Sequence, residues 1–192
     1  MKKLPLAFID SNVLFRMFAA SPQKIKQFQE TGSCGKESLD YAVSLLLKLG
    51  RGGYSTSEIA LLETVSVASR LGGPKKADIL FQSVTMQENF RILETRALAY
   101  PLSFAFVLTF QLDARDSLHL AVVALSGVNT LITSDRNFAD GVELITRQVA
   151  LEGFQLPKPV SAIYRLNDEE STLIDKKCGQ SLALLSVERA PV

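Results

Sequence analysis

Two short apolar segments, each followed closely by an aspartate, constrain the fold of this chain more than any other feature. Residues 4–9 are mostly apolar and stop at Asp10, and residues 130–133 are β-branched and apolar and stop at Ser134 and Asp135. A short apolar run that ends at turn-forming residues is typical of a buried strand in a parallel sheet. The chain is therefore expected to contain a sheet with aspartates at the ends of its strands.

Most of the remaining chain has the spacing of helices. Helices are predicted over residues 13–20, 37–49, 57–71, 75–87, 96–110 and 114–127, and further short strands over residues 54–56, 90–93 and 142–145. Residues 21–35 are polar and predict a loop or a weak helix, and Pro101 predicts a bend in its helix. Strands that alternate with helices are typical of an α/β protein. We therefore expect a three-layer sandwich with a mainly parallel central sheet.

The composition excludes several classes of protein. The net charge of +1 argues against a broad basic surface, and the 47% share of apolar residues is enough for a large core. The chain has one histidine, His119, which excludes a zinc finger. Cys34 and Cys178 are too far apart in sequence to suggest a metal-ligand pair, which fits a reducing cytoplasm. The longest apolar run, residues 98–112, is too short to cross a bilayer, so it is interpreted as a core helix and no membrane contact is expected.

Four carboxylates are expected to meet at one edge of this sheet. Asp10 and Asp135 follow predicted strands, Asp116 lies in the first turn of a predicted helix, and Glu63 lies one to two turns into another. In open parallel sheets, ligands bind beyond the carboxyl ends of the strands. Clustered carboxylates repel one another, and an oxygen-only ligand set favours Mg²⁺ or Mn²⁺. Such an ion activates water for phosphodiester hydrolysis.

Each of these acids also has an ordinary structural explanation. Asp10 and Asp135 are good turn residues at the ends of strands, and Asp116 favours the positive end of a helix dipole. Glu63 alone is what an exposed helix position often carries. Their joint placement, rather than any single residue, favours a metal site.

Four segments of the sequence resemble PIN-domain proteins. They are residues 8–14 (FIDSNVL), 55–57 together with 62–63 (STS and LE), 114–121 (ARDSLHLA) and 131–138 (LITSDRNF). They occur in the order that the family has, and the resemblance covers roughly residues 4–145. The resemblance implies a metal-dependent ribonuclease that uses Mg²⁺ or Mn²⁺, commonly the toxin of a VapBC-type toxin–antitoxin pair. It implies an RNA substrate, an antitoxin partner and a homodimer.

The resemblance also assigns residues. Asp10, Glu63, Asp116 and Asp135 match the acidic positions of the family, and Asn12 and Ser134 match its polar neighbours. Three arginines lie near the motifs and are candidates to contact RNA phosphates or are ordinary surface charges: Arg16, Arg115 and Arg136.

Two residues close to Asp116 in sequence are harder to interpret. His119 lies three residues after Asp116 and is expected either to pack in the core or to orient Asp116 by a hydrogen bond. Asp113 lies three residues before it and is expected either to cap the helix or to act as an additional acid behind the metal ligands.

The chain divides into two predicted segments, and two other functions remain open. Residues 1–150 are expected to form the PIN-like nuclease domain, and residues 151–192 a C-terminal extension of unknown role. The first alternative is a catalytically silent PIN-fold binding module or scaffold. The second is a phosphotransfer enzyme with Asp10 as nucleophile, although residue 12 is Asn where a second Asp would be expected.

Overall fold

The structure is a computed structural model that describes residues 7–48, 53–88, 90–128, 130–152 and 161–163. Its centre is a five-stranded sheet in the order β3-β2-β1-β4-β5, in which every neighbouring pair is parallel. The strands are β1 (Ala7–Ile9), β2 (Tyr54–Ser57), β3 (Phe90–Leu93), β4 (Thr130–Ile132) and β5 (Ser161–Ile163). The expected parallel sheet is confirmed, and all five carboxyl ends lie at one edge.

Helices cover both faces of this sheet. They are α1 (Ser11–Ala19), α2 (Pro22–Thr31), α3 (Glu37–Lys48), α4 (Glu58–Thr85), α5 (Ala99–Phe110), α6 (Ala114–Ser126) and α7 (Arg136–Glu152). One core packs α1, α3 and α4 against Ala7 and Ile9, and the other packs α5, α6 and α7 against Phe8. Successive residues of β1 therefore enter opposite cores, as the alternation of side chains along a strand requires. This is the three-layer sandwich that the sequence predicts.

The helix α4 has a kink in its middle, where one residue leaves the helical conformation. Gly73 has φ 77° and ψ 172°, a region that side chains other than glycine rarely enter, and Pro74 follows it. The sequence predicts two helices separated at this point, and this division is confirmed.

The strand predicted over residues 142–145 is wrong, because these residues belong to α7. Phe138, Ala139, Val142 and Ile145 are buried on one side of that helix, with the spacing of successive helical turns. Four apolar residues are too few to distinguish a buried strand from a buried helical segment.

Two other segments differ in part from prediction. The polar residues 21–35 contain a complete helix, α2, which begins at the Ser21 cap and has no buried side chain. Pro101 lies in the first turn of α5, where proline is tolerated, so it does not bend the helix. The core-helix interpretation of residues 98–112 is right for only one face of α5, because Tyr100, Phe104 and Leu108 are exposed.

Within the described ranges, no helix has both the length and the apolar character needed to cross a bilayer.

Candidate active site

Asp10 lies at the carboxyl end of β1, beside the end of β4. The register pairs Ile9 with Ile132, so the next residues, Asp10 and Thr133, leave the sheet together. One carboxylate oxygen of Asp10 accepts a hydrogen bond from the Ser11 backbone N–H at 2.7 Å, and the other accepts one from the Thr133 hydroxyl at 2.7 Å. Asp10 is 5% exposed, and this burial raises the pKa of its carboxyl group.

Thr133 connects the motif after β1 with the motif after β4. Besides donating to Asp10, its hydroxyl accepts a hydrogen bond from the Asn12 side-chain amide at 3.3 Å and one from the Asp135 backbone N–H at 3.0 Å. The side-chain Oδ1 of Asn12 accepts a hydrogen bond from the Ser134 backbone N–H at 3.2 Å. Thr133 is fully buried, so this network holds the two loops in one geometry. In the sequence, Thr133 is only the last residue of a predicted strand, with no signal of these contacts.

Asp135 begins the helix α7. Its Oδ1 accepts hydrogen bonds from the backbone N–H groups of Asn137 at 2.9 Å and Phe138 at 3.2 Å. This is the geometry of a helix cap, so the structural explanation of this residue is correct. Within the described ranges no donor reaches its Oδ2, and that oxygen remains able to bind a ligand.

Asp116 lies in the first turn of α6, whose cap is Asp113, as predicted. Partial burial, together with the nearby charges of Asp10 and Asp135, raises the pKa of its carboxyl group to about 7. Asp10 and Asp135 are therefore close enough to repel Asp116, although the three residues come from distant parts of the sequence.

Glu63 faces the cluster from α4 and differs from the aspartates because cationic partners surround it. Its Oε2 lies 3.2 Å from His119 Nε2, and its Oε1 lies 3.6 Å from the Arg115 guanidinium. The hydrogen bond from His119 is the main reason why the pKa of the Glu63 carboxyl group is lowered. Glu63 is 23% exposed, so its carboxylate is accessible from one side.

His119 is a buried connection between α6, α4 and the end of β2. Its Nδ1 lies 3.3 Å from the Ser57 hydroxyl oxygen, which also accepts the Ala60 backbone N–H as the cap of α4. Burial lowers the pKa of the ring, but the hydrogen bond to Glu63 and the charge of Asp10 outweigh it, so the pKa is raised. The expected packing role is confirmed, since His119 is 2% exposed and contacts Phe8. Its hydrogen bond goes to Glu63 and not to Asp116, so the orienting role proposed from the sequence is wrong.

The three candidate arginines lie in different environments. Arg115 contacts Glu63 and, at 4.0 Å, Asp113, whereas Arg136 pairs with Asp140 at 3.4 Å on the exposed side of α7. Arg16 is half-buried in the last turn of α1. Of the three arginines, Arg115 forms an ion pair with a carboxylate of the cluster, at 3.6 Å from Glu63.

The four carboxylates have the chemistry of a divalent-cation site. Their ligand atoms are all oxygens, which hard cations such as Mg²⁺ and Mn²⁺ prefer, and the repulsion at Asp116 is the kind that a cation relieves. In the described part of the chain, no three His, Cys, Asp or Glu side chains already have the arrangement of a complete ligand set. Asp10 and Glu63 direct their oxygens to hydrogen-bond partners instead, so ion binding requires side-chain adjustment.

Comparison with known families agrees with the fold and the motifs. The model of the family described as PIN domain matches residues 7–143, more than two thirds of the 192 residues. The chain therefore belongs to the PIN domain family.

Two solved structures are similar to it. One is VapC20 of Mycobacterium tuberculosis, described as a toxin that cleaves the sarcin-ricin loop, with 15% identity, coverage of 70% of this chain and 93% of that chain, and a TM-score of 0.54. The other is a toxin–antitoxin complex from Klebsiella pneumoniae, with 19% identity and a TM-score of 0.43. The match covers 69% of this chain and 90% of that chain. Among curated proteins, none matches the sequence significantly.

Proposed function

We propose that this protein is a metal-dependent endoribonuclease that hydrolyses RNA phosphodiester bonds. Asp10, Glu63, Asp116 and Asp135 are the proposed ligands of Mg²⁺ or Mn²⁺. The observation that supports this most directly is the position of Asp10, Asp116 and Asp135 at the carboxyl edge of a parallel sheet, close enough for Asp10 and Asp135 to raise the pKa of Asp116. Membership of a family whose members are typically nucleases that use divalent ions supports the same conclusion.

The proposed roles of the surrounding residues follow from their contacts. Thr133 and Asn12 hold the loops that carry Asp10 and Ser134 together, so that these loops do not need to be ordered when substrate binds. When bound, the divalent cation neutralises charge on the scissile phosphate and lowers the pKa of an attacking water. Arg16, Arg115 and Arg136 are proposed to contact phosphates of the RNA.

The test is RNA cleavage in Mn²⁺ or Mg²⁺ by the unaltered protein and by Asp10→Asn. We expect cleavage to fall by at least about 100-fold in the variant, since a charged ligand becomes neutral with little change of shape. Asp78→Asn, on the exposed side of α4, is the matched control. Equal cleavage by the unaltered protein and Asp10→Asn would contradict the proposed site, and full activity in excess chelator would contradict the metal mechanism.

The alternative is a catalytically silent PIN-fold binding module. The observation in its favour is that Glu63 is already neutralised by His119 and Arg115. Retention of all four acids argues against it, because a binding module has no need for repelling carboxylates. A silent module would bind Mn²⁺ weakly in calorimetric titration and would not cleave RNA.

A phosphotransfer role for Asp10 is disfavoured because residue 12 is Asn, where a second Asp would be expected.

The proposal includes two protein partners, an antitoxin and a second copy of this chain. The support for a homodimer is the outer face of α5, where Tyr100, Phe104 and Leu108 are 59%, 63% and 65% exposed at a spacing of four residues. Residues 97–112 contain no charge, so this stripe is complementary to itself. Two stripes in contact, with their rims, would bury on the order of 1,000 Å², near the lower limit for a specific dimer.

The proposal retains two expectations from the sequence. The first is a nuclease domain in residues 1–150 with a C-terminal extension in residues 151–192, of which β5 pairs with β4. The second is a cytoplasmic location, which the two widely separated cysteines support.

A further inference from the structure

We propose that Arg115 and the divalent cation exchange on Glu63, and that Arg115, once released, binds a phosphate of the RNA. This inference rests on the proposed function and deepens it. Metal binding would then prepare the substrate site, because the same arginine cannot hold Glu63 and a phosphate at once.

The two cationic partners of Glu63 are held very differently. His119 is 2% exposed, and its second ring nitrogen contacts the Ser57 hydroxyl, so the ring cannot move without losing this buried contact. With a carboxylate at 3.2 Å, Nε2 carries a hydrogen in both the neutral and the protonated ring. His119 is therefore a fixed positioning residue for Oε2 of Glu63.

Arg115 is held weakly. Its side chain is 76% exposed, and its contacts are at 3.6 Å to Glu63 and 4.0 Å to Asp113, which is itself 63% exposed. Exposed ion pairs at such distances contribute little to stability, because water and salt screen them and because ordering a long side chain costs entropy. Oε1 of Glu63 is thus the oxygen that a stronger cation can take.

The position of Arg115 in the chain explains where the released side chain can go. It precedes Asp116 directly and stands at the exposed start of α6, so it stays next to the carboxylates after losing Glu63. A phosphate drawn to a cation in the cluster lies within reach of a side chain of this length. The guanidinium can bind two phosphate oxygens at once, which lysine cannot do.

The experiment separates metal binding from RNA binding in Arg115→Gln. Calorimetric titration with Mn²⁺ alone should give a Kd about 2–5-fold lower than in the unaltered protein, since the competing guanidinium is gone. Binding of a short fluorescent single-stranded RNA in saturating Ca²⁺ should be weaker, and the slope of log K against log salt should be smaller by about one. In saturating Mn²⁺, KM for RNA cleavage should rise more than kcat falls.

Three further variants make the result specific. Arg147→Gln removes another exposed arginine that pairs with a glutamate, Glu143 at 3.5 Å, and should leave both affinities unchanged. Arg115→Lys should keep the weaker Mn²⁺ binding, because the charge remains near Glu63, but should lose RNA affinity. In the Glu63→Gln background, Arg115→Gln should no longer improve Mn²⁺ binding, because the competition requires both charges.

Each outcome distinguishes the two proposals. Mn²⁺ binding that is equal or weaker in Arg115→Gln overturns the exchange and leaves the nuclease proposal in place. Unchanged RNA affinity in Arg115→Gln likewise overturns the assignment of Arg115 to a phosphate. If the unaltered protein binds no Mn²⁺ and cleaves no RNA, the proposed function fails, and the exchange fails with it.

Discussion

Replacing Asp116 by asparagine should stabilise the metal-free protein at pH 8. The Asp116 carboxylate is partly buried beside Asp10 and Asp135, and its pKa is raised from 3.8 to about 7. Among the described residues, none donates a hydrogen bond to it. Asparagine keeps the shape of the side chain and removes the charge that repels the other two acids, so the folded state should gain free energy.

The magnitude follows from the difference in pKa between the folded and unfolded states. Three pKa units correspond to an upper limit of about 4 kcal/mol, and partial exposure of the side chain reduces this to about 1–2 kcal/mol. Because the folded pKa lies above the unfolded value, the folded state binds the proton more tightly. The destabilisation by Asp116 is therefore absent below pH 4, grows as the pH rises from 4 to 7, and is complete above pH 7.

Urea unfolding in excess chelator at pH 4.5 and pH 8 measures this effect. The free energy of unfolding of Asp116→Asn should exceed that of the unaltered protein by about 1–2 kcal/mol at pH 8 and by much less at pH 4.5. Asp78→Asn, at an exposed position of α4, controls for the general loss of a negative charge. Saturating Mn²⁺ should reverse the order, because the unaltered protein then gains the free energy of binding. If Asp116→Asn is neutral or destabilising at pH 8 in chelator, burial of this charge and its repulsion by Asp10 and Asp135 do not destabilise the protein, and the reasoning is wrong.

Three other perturbations test separate features. Thr133→Val should lower the free energy of unfolding by about 2–3 kcal/mol, because several buried polar groups lose their shared partner. Thr133→Ser keeps the hydroxyl and should cost clearly less. Equal losses for the two variants in urea unfolding would contradict the hydrogen-bond network. Gly73→Ala should lower the free energy of unfolding by about 1–3 kcal/mol from its φ of 77° alone, since nothing lies within 4 Å of the added Cβ; no loss in urea unfolding would contradict this strain. Phe104→Glu should convert a dimer into a monomer in sedimentation, and an unaltered protein that is monomeric at every concentration would exclude the α5 interface.

Local signals made much of the fold predictable. The helix α6 lies between the cap Asp113 and Gly127, whose φ is 70°, and both residue types mark helix ends in the sequence. Asp10 and Asp135 could be placed at one edge because both follow apolar strands, and parallel strands end on the same side. Segments without such signals were predicted less well. The four apolar residues of 142–145 fit a strand or a helix equally well, and packing within α7 decided between them.

The sequence by itself determined that Asp10, Asp116 and Asp135 lie at the ends of their strands or helix, because each depends on a short motif and on the direction of its own element. Tertiary structure alone decided how these carboxylates are held. Glu63 meets His119 across 56 residues, and Thr133 meets Asp10 across 123. No local pattern reports such pairs, since a hydrogen bond between distant residues depends on how whole elements pack. The exposed face of α5 has the same origin: its apolar residues suggest burial all round, but the fold provides a neighbour on only one side.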